Sequence, residues 1–331
     1  MATFGDFPPH QQADEPRSST SQPDQWERKV IQDLAFAAIK EQRASRRWGY
    51  VFKGLVLLYL VAVFLLTVNP FSKSSTATGP HTALVEISGM IALGMEANAD
   101  VVVSGLRKAF DNKDAKGLII RLNTPGGSPV QSGVINDEIL RLRATRPDFP
   151  VYAVVQDICA SGGYYIAVAA NEIYADKASI VGSIGVRMDS FGFTEAIDKL
   201  GIERRAITSG QNKAFLDPFK PLKQEDVAHA NTMLDNIHQQ FIDVVKAGRG
   251  DRIAGQDEDM LFSGLFWTGE QSVDLGLIDG LASSSQVARE IVGAENIVDY
   301  TLRPSYLDRF AGRIGSSIGN VLLQHAGWSL K

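Results

Sequence analysis

Cysteine is nearly missing from this chain: Cys159 stands alone among 331 residues, which excludes an intrachain disulfide and with it a disulfide-stapled scaffold. Histidine is scarce too. The five histidines are scattered, and His229 and His238, on one predicted helix, would face opposite sides, so no metal site emerges. No cofactor is expected. Positive charge is not in excess, with 33 Lys and Arg against 38 Asp and Glu and a formal net charge of −5. With no zinc-finger spacing and no basic aromatic patch, nucleic acid is not an expected partner. No internal repeat is evident.

What the chain has is 44% apolar residues, enough for a sizeable core, and one long uncharged run. Gly54 to Val68 carries no charge, and extension back to Trp48 across Lys53 reaches the ~20 residues needed to cross a bilayer. A buried core helix rarely lacks polar residues for so long, and a signal peptide rarely has some fifty residues before its apolar core. Residues 48–68 are therefore predicted to be a single transmembrane helix. Lys40, Arg43, Arg46, Arg47 and Lys53 precede or flank it and Lys73 alone follows, so the basic bias places the N-terminus in the cytoplasm and the remainder outside. Residues 1–47 form a cytoplasmic head. Its first part is too polar to fold alone, and Trp26 to Arg47 reads as a basic amphipathic helix, either lying on the membrane or leading into the span. A Pro/Gly/Ser/Thr linker, 69–81, follows.

From 82 to 295 short β-rich runs alternate with helical patterns, the layout of an α/β domain with crossover helices. Strands are expected at Ala83 to Ile87, Gly117 to Leu122, Val151 to Val155, Glu172 to Ala175, Ser183 to Asp189 and Arg204 to Thr208. Helices are expected at Ala97 to Asn112, Pro129 to Arg143, Ser161 to Ala170, Gln224 to Gly248, Gly269 to Gly276 and Ser284 to Val292. In the tail, 296–331, Leu307, Phe310, Ile314, Ile318, Val321 and Leu322 recur at helical spacing and predict an amphipathic helix suited to packing in an oligomer.

Two strand-to-helix junctions are glycine-rich: Asn123-Thr124-Pro125-Gly126-Gly127-Ser128 and Ala160-Ser161-Gly162-Gly163. Each offers backbone N–H groups that the following helix leaves unpaired, and the missing Cβ lets a substrate carbonyl approach, so together they could form an oxyanion hole. Alone, Pro-Gly-Gly is an ordinary turn and a serine before glycines an ordinary helix cap. Ser161 is nevertheless a candidate nucleophile, with Lys213, in Ser209-Gly210-Gln211-Asn212-Lys213, as its base. A desolvated lysine, neutral at working pH, can take a hydroxyl proton without histidine or aspartate. Ala214, Phe215 and Leu216 could exclude water around it. Lys177, Lys199, Lys220 and Lys223 read as solvated charges, Cys159 as a small buried hydrophobe, and the Gly-x-Ser-x-Gly elbow of the α/β-hydrolases fails because position 159 is cysteine.

These motifs, with Val181-Gly182-Ser183-Ile184-Gly185-Val186 between them, resemble in content and order those of the S49 peptidase family, the signal peptide peptidase A group. The likeness covers about Ala83 to Ala282. It implies a crotonase/ClpP-like ββα spiral and ring-shaped homo-oligomers. It further implies Ser161 as nucleophile, Lys213 as general base, the N–H groups of Gly127 and Gly162 as oxyanion hole, and Ser183 as a hydroxyl orienting the lysine. In short single-anchor forms the resemblance implies that Lys213 comes from the neighbouring subunit. Ser128 stands where some members have a third glycine. The expected function is a membrane-anchored serine endopeptidase of a bacterial inner membrane that cleaves released signal peptides or other hydrophobic peptides near its outer face. A non-proteolytic crotonase-fold acyl-thioester binder or scaffold is the alternative, because two oxyanion turns suit thioesters as well.

Overall fold

The computed structural model describes residues 25–68 and 79–303, which fall in two compact units. The first unit contributes one continuous helix, α1 (Gln25–Val68), in which the expected basic helix and apolar span merge without a break. Its stretch Arg46–Phe64 is long and apolar enough to cross a membrane. The expected polar head segment before residue 25, most of the linker and the amphipathic tail from 304 onward lie outside the described residues.

The second unit is an α/β body built on β1 (His81–Ser88), α2 (Ala99–Asp111), β2 (Ala115–Thr124), α3 (Pro129–Thr145), β3 (Val151–Ala160), α4 (Gly162–Ala167), β4 (Glu172–Ala175) and β5 (Ile180–Gly182). After α5 (Thr194–Lys199) and α6 (Gln224–Arg249) come α7 (Glu258–Leu261), β6 (Phe266–Thr268), α8 (Gly269–Asp274), β7 (Gly280–Leu281), α9 (Ser284–Gln286, running on as a π-helical turn to Val292) and β8 (Ile297–Asp299). The sheet runs β6-β5-β3-β2-β1-β8 and is parallel except where β6 lies antiparallel to β5. Strand–helix units winding round a parallel sheet form the α/β spiral implied by the resemblance.

The central strands are apolar on both sides because both faces are covered. Ile120 and Leu122 of β2 join the large core under α2, α3, α4 and α6, whereas Ile119 packs on the opposite face with Leu84, Val154, Val287 and Ala288 beneath the α9 segment. β3 forks. Tyr152 to Val154 pair with β4, while Ile158 to Ala160 pair with β5, and this split carries the end of β3 away from β4.

Two expected strands are absent: 183–189 and 204–208 are irregular. Among the described residues neither pairs in a ladder, the first segment keeping a single backbone bond from Ser183 N–H to the Leu265 carbonyl, and Ile207 is 99% exposed, so alternation alone does not make a strand there. The helix expected over Ser161 to Ala170 is cut to α4, closed by tight turns at Ala169 and Ala170. The body also extends past the expected boundary at 295. β8 pairs with β1 at residues 82–84, and Tyr300 donates its N–H to the Leu84 carbonyl and stacks on His81.

Candidate active site

The turn after β2 is fixed from both sides. The Thr124 hydroxyl accepts the Gly126 N–H at 3.1 Å, and the Ile91 segment bridges across, its N–H donating to the Gly126 carbonyl and its carbonyl accepting from Ser128 N–H. Gly126 and Gly127 have φ of 98° and 152°, and a Cβ on Gly127 would fall on the Ile91 carbonyl. Ser128 then caps α3, its side chain accepting the Gln131 N–H, with Pro129 in the first turn. A serine in place of a third glycine is therefore a helix cap.

The turn after β3 meets the first backbone to backbone. A Cβ on Gly126 would lie 2.8 Å from Ala160 O, Gly162 N and Ser161 Cβ alike, so the two turns tolerate no side chain between them. Ser161 has φ 51° and ψ −121°, a left-handed conformation rare outside glycine, held because its N–H donates to the Gly182 carbonyl and its carbonyl accepts from Tyr165. It is half-buried. The N–H groups of Gly127 and Gly162 have no acceptor among the described residues, as expected for the first turn of α4 and for a bridge that uses the flanking groups. They are near neighbours: a Cβ on Gly162 would stand 3.3 Å from Gly127 N. The structure thus brings Ser161, Gly127 and Gly162 together.

Ser183, just beyond β5, is half-buried with φ 54°, its N–H held by the Leu265 carbonyl at 2.7 Å. β5 lies beside the end of β3, so Ser183 follows directly on the strand that anchors Ser161.

Lys213 is not brought to this cluster within one chain. It is exposed, and among the described residues no hydrogen bond joins it to Ser161 or Ser183. Its segment is tied to the start of α6, where Phe215 packs edge-on against His229 and Leu216 N–H donates to Asp226, and to the preceding loop, where Arg204 pairs with Asp217. Phe241, twelve residues and about 18 Å of helix rise further on, is the residue of α6 that packs on Tyr165 beside the site. Ala214 to Leu216 are half-buried against α6, while the amine stays in water.

Ser132, on α3, had no distinguishing signal in the sequence. Its side chain is fully buried, its hydroxyl has no hydrogen-bond partner, and it abuts Gly162, where an added Cβ would collide with it. Cys159 is fully buried and burial pushes its thiol far up, which removes it as a rival nucleophile. Among the described residues no group of three His, Cys, Asp or Glu is placed to hold a metal.

A family model described as Peptidase family S49 matches residues 143–297. A Na(+)/H(+) antiporter NhaA of Brucella abortus is 48% identical over 188 residues, 57% of this chain but 25% of that protein. The chain thus spans a quarter of that relative's length. A Synechocystis sp. protein named as a putative protease is 31% identical over 208 residues, covering 63% of this chain and 72% of its own length. Protease 4 of Haemophilus influenzae is 30% identical over 221 residues, 66% of this chain and 35% of that one. With the Synechocystis protein matched over most of its length and the two glycine turns and Ser161 in one cluster, the chain belongs to peptidase family S49.

Proposed function

We propose that this chain is a membrane-anchored serine endopeptidase in which Ser161 is the nucleophile and Lys213 of a neighbouring copy the general base. The observation that carries the reading is the half-buried Ser161 held at positive φ beside the unpaired N–H groups of Gly127 and Gly162. The Ser161 hydroxyl attacks a peptide carbonyl as the unprotonated Lys213 amine takes its proton. The oxygen, now negative, is met by the two N–H groups, a stabilisation of the kind worth ~2.7 to 4 kcal/mol per donor. Collapse breaks the C–N bond, and the lysine returns the proton to the leaving amine. Water, deprotonated by the same amine, then releases the acyl group from Ser161. Ser183 orients the amine.

Supply of Lys213 in trans is supported by its exposure in the single chain and by the exposed apolar residues of the same region, among them Phe191, Leu200, Ile202, Ile207 and Leu222. Assembly would cover them and remove water from the amine. The substrates are short apolar peptides, including released signal peptides, lying beside Gly127 and Ser183 to Arg187, near the exposed Met90 and Leu93. The apolar part of α1 supports an anchor that keeps the body beside a membrane. Thioester binding would not require a nucleophile at position 161.

Mixing tests the reading. Ser161→Ala and Lys213→Ala should each lack peptidase activity and fluorophosphonate labelling should need Ser161, whereas co-assembled variants should regain part of the activity through mixed sites. Activity retained by Lys213→Ala, or no recovery on mixing, rejects the shared site.

A further inference from the structure

On the face of the sheet opposite the large core, beside the start of the α9 segment, a cavity of about 570 Å³ opens over Arg121 of β2, the middle of β3 and the C-terminal end of β4. Its size falls within the ~300–1,000 Å³ common for ligand sites. Arg121 of β2 reaches it by alternation: Ile119 on the same face is covered by Val287 and Ala288, whereas Arg121, two residues on, lines the open part.

The Arg121 Nε is shut off from solvent yet has no hydrogen-bond partner, and among the described residues its guanidinium forms no ion pair. The nearest carboxylate in register, Glu86 on β1, is taken by Arg303 at 3.0 Å. Buried donors are almost always satisfied, so an unpaired one on a side chain that lines a cavity implies an acceptor that the chain itself does not supply. A planar carboxylate fits a guanidinium fork best. The remaining lining has both signs. Lys177 adds a cation, and Asp157 and Asp176 add carboxylates of which each uses one oxygen internally, toward Asn123 and the Ala178 N–H.

We propose that this cavity is a second binding site, for a short zwitterionic peptide, whose terminal carboxylate is held by Arg121 and Lys177 and whose terminal ammonium faces Asp157 and Asp176. Balanced charges over this volume match a molecule carrying one charge of each sign at its two ends. The assignment is independent of the chemistry at Ser161.

The test uses the full chain in detergent with Ser161→Ala, so that no probe is turned over, and titrates trialanine by calorimetry. Trialanine amide, which lacks the carboxylate, and N-acetyl-trialanine, which lacks the ammonium, should each bind at least tenfold more weakly. Arg121→Met should lose trialanine binding to a similar extent while its melting temperature without peptide stays equal or rises, because an unsatisfied donor has been removed. Equal binding of trialanine and its amide overturns the proposal without recourse to any Arg121 variant. So does undiminished binding to Arg121→Met, a fall in its unliganded melting temperature, or displacement of trialanine by equimolar inorganic phosphate.

Discussion

Gly162→Ala should couple to Ser132→Ala, because the structure puts the new methyl group against the Ser132 hydroxyl and little else. Gly162 opens α4 with ordinary helical backbone, so alanine brings no conformational strain and the cost is overpacking, about 1–3 kcal/mol, partly offset by alanine's better helix propensity. Ser132→Ala removes a buried hydroxyl that has no partner and should be close to neutral or stabilising. In the double variant the nearest remaining atom of residue 132 is its Cβ, 3.5 Å away, an ordinary contact. The expected coupling is therefore about 1–2 kcal/mol in favour of the pair. At ~2–4 °C per kcal/mol for a body of this size, it is readable in thermal unfolding of the four proteins followed by circular dichroism. Peptide hydrolysis should behave differently. The methyl group would stand 3.3 Å from Gly127 N, between the two proposed oxyanion donors, so activity should remain down by about 10²–10³ even where stability returns. Effects that add to within ~0.5 kcal/mol would refute the contact, and recovery of activity with stability would refute the placement of the oxyanion hole.

Cys159 should resist iodoacetamide in the folded protein and react only on unfolding, and Cys159→Ala should hydrolyse peptide at the wild-type rate; labelling at the native rate of a free thiol would contradict the burial. Glu138 accepts from Arg141 and, across to α2, from Arg107; these bonds, Arg141 first, hold its carboxyl down at about 2 although burial pulls the other way. A carboxyl whose folded value is depressed stabilises above the unfolded value near 4.5 and loses that contribution as pH falls toward 2. Glu138→Gln should therefore cost roughly 1 kcal/mol at pH 7, and its melting temperature should approach wild type progressively as pH falls from 4.5 toward 2; a difference that does not change with pH would contradict the ion pair.

The long elements were legible because their patterns are long. β1, β2, α2, α3 and α6 bury continuous β-branched runs or a helical face, and each lies within a few residues of its expected bounds, whereas β3 runs five residues past its expected end at Val155. β6, β7 and β8, of two or three residues, are shorter than any periodicity can register, and only pairing with distant strands makes them strands. The reverse error, at 183–189 and 204–208, has the same origin: alternation is necessary for a strand, but a neighbour is what completes it. At the site, the two glycine turns and Ser161 were local signals. Their mutual contact depends on β2 and β3 lying side by side, and the exposure of Lys213 depends on α6, neither of which a linear pattern contains.

The pairing of β1 with β8 has a cost in time. Residues 82–84 meet 297–299 across more than two hundred residues of chain, a high-order contact whose loop closure slows folding. A ribosome delivers the partner of β1 almost last, so throughout synthesis of the body one flank of β1 waits as a bare hydrogen-bonding edge, open to mispairing with another nascent chain. The ten residues of β2, made early and parallel to β1, are what the growing chain has to keep the other flank covered until Tyr300 emerges.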